Sequence, residues 1–151
     1  MKPLTRGQLA KTAGVKSETI RFYDQEGLLP ATERSAAGYR LYTEESIKRL
    51  NFIRQAQTLG FSLNEIRELL TLKTTPNASQ ESVKALISEK LTEIEQKMQV
   101  LQEIKLMLSA LNENCDGTGS TDTCSILHGI EHLKSAPQKS HNTKKGSPLC
   151  H

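Results

Sequence analysis

Leu9 with Ala10, then Ile20, then Ile47, Leu50, Ile53 and Ala56 recur at the steps that line up apolar side chains on one face of a helix. Thr5 and Gln8 have the form of a capping box, in which hydroxyl and amide each satisfy a backbone N–H at a helix start. Ser17 is the expected N-cap of a second helix and Thr43 opens a third. Gly60 ends the third, and Ser62 with Glu65 forms another capping box. It precedes a helix through Leu72 whose Leu63, Ile66, Leu69 and Leu70 form the expected buried stripe. The break at Ala13, Gly14 and Val15 is too short to separate independent helices, and Gly14 permits the left-handed backbone of a tight turn. Two short helices so joined form a helix-turn-helix, whose second helix enters the DNA major groove. Lys16 and Arg21 then lie on the outer side of that second helix. A helical pair in a three-helix core has the same local pattern, and the residues beyond Gln25 are needed to choose between the two.

After Pro30 helical spacing lapses. The segment ATERSAAGYRLYT is rich in turn formers, and Arg34, Tyr39, Arg40 and Leu41 around Gly38 predict a two-stranded hairpin wing. A wing lies along the phosphate backbone or dips into the minor groove, where Arg40 can pair with phosphate and Tyr39 can donate from its hydroxyl. Tyr42 is the residue most easily explained as filling the wing's underside. Farther on, Thr74 to Asn77 form a break, and no Pro or Gly occurs between Ser79 and Asn112. Ile87, Leu91, Ile94, Met98 and Leu101 step by four, three, four and three, and the series continues at Ile104, Leu108 and Leu111. A helix of that length with a heptad stripe cannot hide the stripe within so small a chain, so it is expected to pair with a copy of itself. Packing back onto the N-terminal domain is the alternative.

The 151 residues allow one medium domain, or a small one with an appendage. The net charge of +3 neither demands nor excludes a polyanionic partner. Residues 1–74 hold 12 Lys or Arg against 8 Asp or Glu, and the remainder 8 against 9. The basic excess therefore falls on the part expected to meet DNA. No apolar run reaches the roughly 18 residues of a membrane span, and the N-terminus lacks the apolar core of a signal peptide. A cytoplasmic protein without membrane contact is expected. Three cysteines, Cys115, Cys124 and Cys150, are an odd number in a reducing compartment, which favours metal or redox chemistry over structural disulfides.

The run TIRFYDQEGLLP, followed by RSAAGYRLYTEESIKRLNFIRQAQTLGFSLNEIRELL, resembles the DNA-binding domain of the MerR family of bacterial transcription regulators. The match is dense over residues 1–74 and continues in layout beyond it. The resemblance implies that Tyr39 and Arg40 contact DNA and that the long helix is an antiparallel dimer helix. It implies a regulator that sits on a promoter with RNA polymerase and distorts the spacer DNA when it binds its inducer, typically at genes for metal efflux or detoxification. The candidate DNA contacts are Lys16, Ser17, Arg21, Tyr23, Tyr39, Arg40 and Arg54. In many relatives the position of Gln57 is basic, so one phosphate contact differs in this chain.

The segment NENCDGTGSTDTCSILHGIEHL is a Gly, Ser, Thr and Asp loop bounded by Cys115 and Cys124, followed by a short amphipathic helix with Ile126, Leu127, Ile130 and Leu133. Two thiolates across a flexible loop can converge on a soft or borderline ion, and two unrelated cysteines are the alternative. Placed after a long dimer helix, the loop resembles the family's metal-sensing loop. Two thiolates suffice for a linear Cu(I), whereas Zn(II) prefers four ligands. In the family, divalent sensors usually add a Cys at the start of the dimer helix, reached from the partner subunit. Ser79, or Ala78 in a shifted register, holds that place in this chain. The loop length and the following CSIL resemble the zinc-type sensors instead, with Asp116, Asp122, His128 or His132 able to complete a tetrahedral site. Cu(I) is preferred and Zn(II) is the alternative. His128 and His132, four apart, are also explained as exposed polar positions, and Cys150 with His151 as a solvated tail.

The expected architecture is mainly α: a winged helix-turn-helix domain over 1–74, a dimerisation helix over 79–112, a metal-binding loop and short helix over 113–134, and a mobile tail over 135–151. A metal buffer with the N-terminal domain as a protein-binding module is the rival from another class. A thiol enzyme is a weaker one, because no catalytic frame surrounds either cysteine of the loop.

Overall fold

The computed structural model describes residues 2–133, so the tail expected over 135–151, with Cys150 and His151, lies outside the described residues. Two compact units divide between Ser79 and Gln80.

In the first unit, strand β1 (Leu4–Thr5) leads directly into helix α1 (Arg6–Ala13). Thr5 caps α1 as expected: its hydroxyl accepts from the Gln8 N–H, and the Gln8 amide oxygen accepts from the Thr5 N–H. Gly14 ends α1 at φ +66°, a backbone that an L side chain adopts only with strain. Helix α2 (Ser17–Gln25) follows at once. Its N-cap is Lys16 and not Ser17, which is already the first helical residue, and no side chain caps the helix. Leu9, Ala10 and Ile20 are buried where the two helices pack.

Beyond α2 come β2 (Glu33–Arg34) and β3 (Arg40–Tyr42), joined by a turn in which the Gly38 N–H donates to the Ser35 carbonyl. The expected hairpin is present, but its sheet has a third strand. In the order β1-β3-β2, Leu4 pairs with Tyr42, Thr5 with Leu41, and Glu33 with Leu41, all antiparallel. Helix α3 (Glu44–Thr58) starts at a Thr43–Ser46 capping box and buries Leu50, Ile53 and Ala56. Helix α4 (Leu63–Thr74) starts at the Ser62–Glu65 box, buries Ile66, Leu69 and Leu70, and runs two residues past the expected end.

The second unit is built on α5 (Gln80–Glu113), 34 residues and so about 50 Å long. Lys90 is its only buried residue. Ile87, Leu91, Ile94, Met98 and Leu101 remain between 38% and 64% exposed, so the heptad stripe is not covered by the chain's own described residues. After a loop with a single 3-10 turn at Thr121–Thr123, α6 (Ser125–Glu131) packs back against the end of α5. Gly129 makes this close approach possible, since a Cβ there would lie 2.3 Å from Leu111 Cδ2. The Ser125 hydroxyl, donating to the Asn114 carbonyl at 2.9 Å, ties the two ends of the loop together.

Candidate nucleic-acid interface and metal loop

The outward face of α2 follows from its packing. Ile20 and Tyr23 are turned into the core, which leaves Ser17, Glu18, Arg21, Phe22 and Gln25 exposed. Lys16 is exposed at the turn before them. The structure thus presents Lys16, Ser17 and Arg21 on one exposed element, as the sequence predicts.

Tyr23 is placed differently from these three: its ring is buried and it meets the surface only in a cleft between α2 and α3. Its residue is 5% exposed, because its place in the helical period faces α3. Its hydroxyl donates to Gln57 Oε1 at 2.6 Å, and both residues line that cleft together with Arg54. Burial pushes the Tyr23 phenol above its ordinary pKa, with the Gln57 hydrogen bond and the Arg54 charge opposing, so the phenol stays neutral and can donate. Arg54 is exposed and spends one guanidinium N–H on the Ala13 carbonyl at 2.9 Å, which anchors the helix-turn-helix turn to α3. A guanidinium carries five N–H donors, so Arg54 can serve that carbonyl and a phosphate together.

The wing is fixed to α2 through one carboxylate. Asp24, with its side chain 7% exposed, accepts from the buried Tyr42 hydroxyl at 2.9 Å and pairs with Arg40, whose side chain is 41% exposed. Burial raises the Tyr42 pKa first and the Asp24 interaction adds to it, against the nearby Arg6, so Tyr42 remains a donor. Tyr42 therefore does fill the wing's underside, while Tyr39 stands 70% exposed at the tip. Sequence reasoning misses the Asp24 link, because its parts are 16 and 18 residues apart and no local spacing announces them.

At the far end of α5 the loop sets Cys115 and Cys124 in the lining of one pocket, with Asp116, Ser120 and Thr123. Cys124 is the N-cap of α6, and its thiol is held below the ordinary pKa by the N–H groups of Leu127 and Ile126, with Cys115 adding to them. Both cysteines are reduced and partly exposed. Two thiols in one pocket, that of Cys124 with a lowered pKa, fit a thiophilic ion.

The accessory candidates are engaged elsewhere. Asp116 accepts from the Thr118 N–H and hydroxyl, bonds that lower its pKa, and Asp122 accepts from the Ser120 hydroxyl. His128 Nε2 lies 3.4 Å from the Asp122 carbonyl oxygen and His132 Nδ1 2.7 Å from that of His128. Among the described residues no group of three His, Cys, Asp or Glu forms a metal cluster. Ser79 stands immediately before α5.

A helix-turn-helix with an exposed recognition face, a wing tied to it, and a long helix with an uncovered heptad stripe define a DNA-binding transcription regulator. The chain belongs to the MerR family. A model described as MerR HTH family regulatory protein matches residues 4–73, and one described as MerR, DNA binding matches residues 47–111. The chain is 43% identical over 128 residues to the HTH-type transcriptional regulator ZntR of Escherichia coli (strain K12), covering 83% of this chain and 90% of that protein. It is 39% identical over 122 residues to the HTH-type transcriptional regulator CueR of Escherichia coli O6:H1, covering 81% and 90%. Among solved structures, the transcription regulator PbrR691 from Ralstonia metallidurans CH34 in complex with lead(II) aligns with TM-score 0.78 at 35% identity, covering 84% of this chain and 98% of that one. Among the described residues no helix is long and apolar enough to cross a membrane.

Proposed function

We propose that this protein is a homodimeric, metal-responsive transcription regulator that distorts promoter DNA for RNA polymerase when an ion binds Cys115 and Cys124. The placing of these two thiols in one loop pocket at the end of α5 is the observation that carries the reading. A two-thiolate site suits a linear monovalent ion, and Ser79 offers no thiol at the head of α5, so Cu(I) is the proposed inducer. A divalent ion, Zn(II), Cd(II) or Pb(II), is the second reading. It is favoured by the lead(II) complex of a protein 35% identical to this one, and it needs ligands from outside the pair.

In the proposed dimer the α5 stripe pairs with its copy in antiparallel fashion and sets two reading heads at fixed spacing. Lys16, Ser17 and Arg21 meet the major groove, and the side-chain-free start of α2 offers its first N–H groups to a phosphate. Tyr39, Arg40 and Arg54 follow the backbone. Ion binding favours one of two dimer conformations, and the changed angle between the heads changes the twist of the spacer.

Titration of the purified protein in chelator-buffered Cu(I) and Zn(II) tests the choice of ion. Tighter binding of Cu(I) at controlled free-ion levels is expected. Ser79→Cys, which adds a third soft ligand, moves the preference toward Zn(II) or Cd(II). A wild type that prefers Zn(II) contradicts the copper reading and returns Asp116, Asp122, His128 and His132 to the ligand set.

A further inference from the structure

We propose that Phe22 is a second sequence-reading residue of α2, one that recognises thymine through its C5-methyl group beside the polar contact made by Arg21. The inference rests on α2 being the recognition helix. At about 100° per residue, Ser17, Arg21, Gln25, Glu18 and Phe22 occupy a single arc of about 140°, with Ile20 and Tyr23 on the opposite side. Phe22 is therefore part of the surface that α2 presents outward, and 45% of it is exposed.

The ring is also held in place. It leans on the Tyr23 ring, with centroids 5.7 Å apart and planes tilted by 53°, and Tyr23 is itself fixed by its bond to Gln57. A large apolar group anchored from behind loses little freedom when its open side is covered.

The neighbours decide what covers it. By helical spacing the ring's neighbours on α2 are Glu18, Thr19, Gln25 and Glu26, charged or hydrogen-bonding groups that make a poor seam for another protein's apolar face. A major-groove edge matches this mixture, because thymine sets an apolar methyl beside the acceptors and donors of its own and adjacent bases. Arg is suited to guanine O6 and N7, and Phe to the thymine methyl. The pair thus specifies two kinds of base from one turn of helix.

The probe is a duplex selected by the full-length wild type from a random double-stranded library, with each thymine in one half-site replaced in turn by deoxyuridine. This exchange deletes the methyl and keeps every hydrogen-bonding group. At one or two positions wild-type affinity is expected to fall about fourfold, the ratio for one buried methyl-sized group. Phe22→Ala is expected to bind the thymine duplex more weakly and to bind thymine and uracil duplexes equally at those positions, with an unchanged dimer on size exclusion. Phe22→Leu, which keeps apolar bulk, should retain part of the discrimination.

If no thymine position discriminates, or if Phe22→Ala still distinguishes thymine from uracil, the proposal is wrong. Loss of the dimer in Phe22→Ala also overturns it, by giving the ring a packing role. Arg21→Ala separates the underlying premise: unchanged affinity there shows that α2 does not read DNA, whereas lost affinity with Phe22 neutral rejects the Phe22 role alone.

Discussion

Asp24→Ala is the substitution whose effect the structure lets one work out most fully. The carboxylate is nearly buried and accepts from Tyr42, a residue with no exposed surface, and from the half-exposed Arg40. Removing it leaves the Tyr42 hydroxyl as a buried donor without its acceptor, which costs about 1–3 kcal/mol. The Arg40 pair adds less than a buried ion pair would, because its guanidinium is open to solvent; about 0.5–1 kcal/mol is a suitable figure. The expected loss is therefore about 1.5–4 kcal/mol, a large part of the stability of a small domain. Tyr42→Phe alone should cost about 1 kcal/mol, the ordinary net value of one hydrogen bond. The two losses must not add, since in the double variant no donor is stranded; the double should fall short of the sum by about 1 kcal/mol. Urea unfolding at one protein concentration measures all three. A loss below about 0.5 kcal/mol for Asp24→Ala, or strict additivity in the double variant, refutes the argument that this carboxylate joins the wing to α2.

The second unit yields further expected outcomes. Leu91→Glu and Leu101→Glu each place a charge in the α5 stripe and should yield monomers by light scattering; intact dimers for both would mean that the stripe faces something else. Gly129→Ala sets a methyl against Leu111, whose side chain must turn away, and should loosen the α6–α5 packing, read as faster amide exchange in 125–131; unchanged exchange would refute the close contact. Because Cys124 is held below the ordinary thiol pKa, its thiolate persists to lower pH than in a short unstructured peptide. Iodoacetamide should label it with a pH midpoint below that of a cysteine peptide, and an equal or higher midpoint would contradict a thiol stabilised at the start of α6.

Helices are legible in the sequence where short-range rules govern. The Thr5–Gln8 and Ser62–Glu65 boxes form as their spacing implies, and Gly14 takes the left-handed turn. The long α5 is legible because 34 residues without Pro or Gly leave little alternative. Strand β1 is not, since two residues carry no periodicity and Leu4–Thr5 becomes a strand only by pairing with Leu41 and Tyr42. Ser17 lies one residue inside α2 and not at its cap, because the turn geometry after Gly14, and not side-chain preference, fixes where the helix begins. Of the proposed DNA contacts, Lys16, Ser17, Arg21 and Tyr39 are exposed, whereas Tyr23 is buried beside Gln57 by the same helical period that buries Ile20. That Cys115 and Cys124 line one pocket follows from the short loop that joins them. The local partners of Asp116, Asp122, His128 and His132 are not foreseeable, because Asx turns and carbonyl contacts depend on backbone angles that composition does not fix.

The central claim is that the thiol pair senses and the winged domain binds, with coupling through two dimer conformations. In vitro transcription from a responsive promoter, run beside operator binding for the wild type, Cys115→Ser and Cys124→Ser, tests it most directly. Both substitutions should abolish the metal-induced rise in transcript while metal-free operator affinity stays within about twofold, because neither cysteine is among the proposed DNA contacts. Metal induction that survives both substitutions would show that the loop is not the sensor.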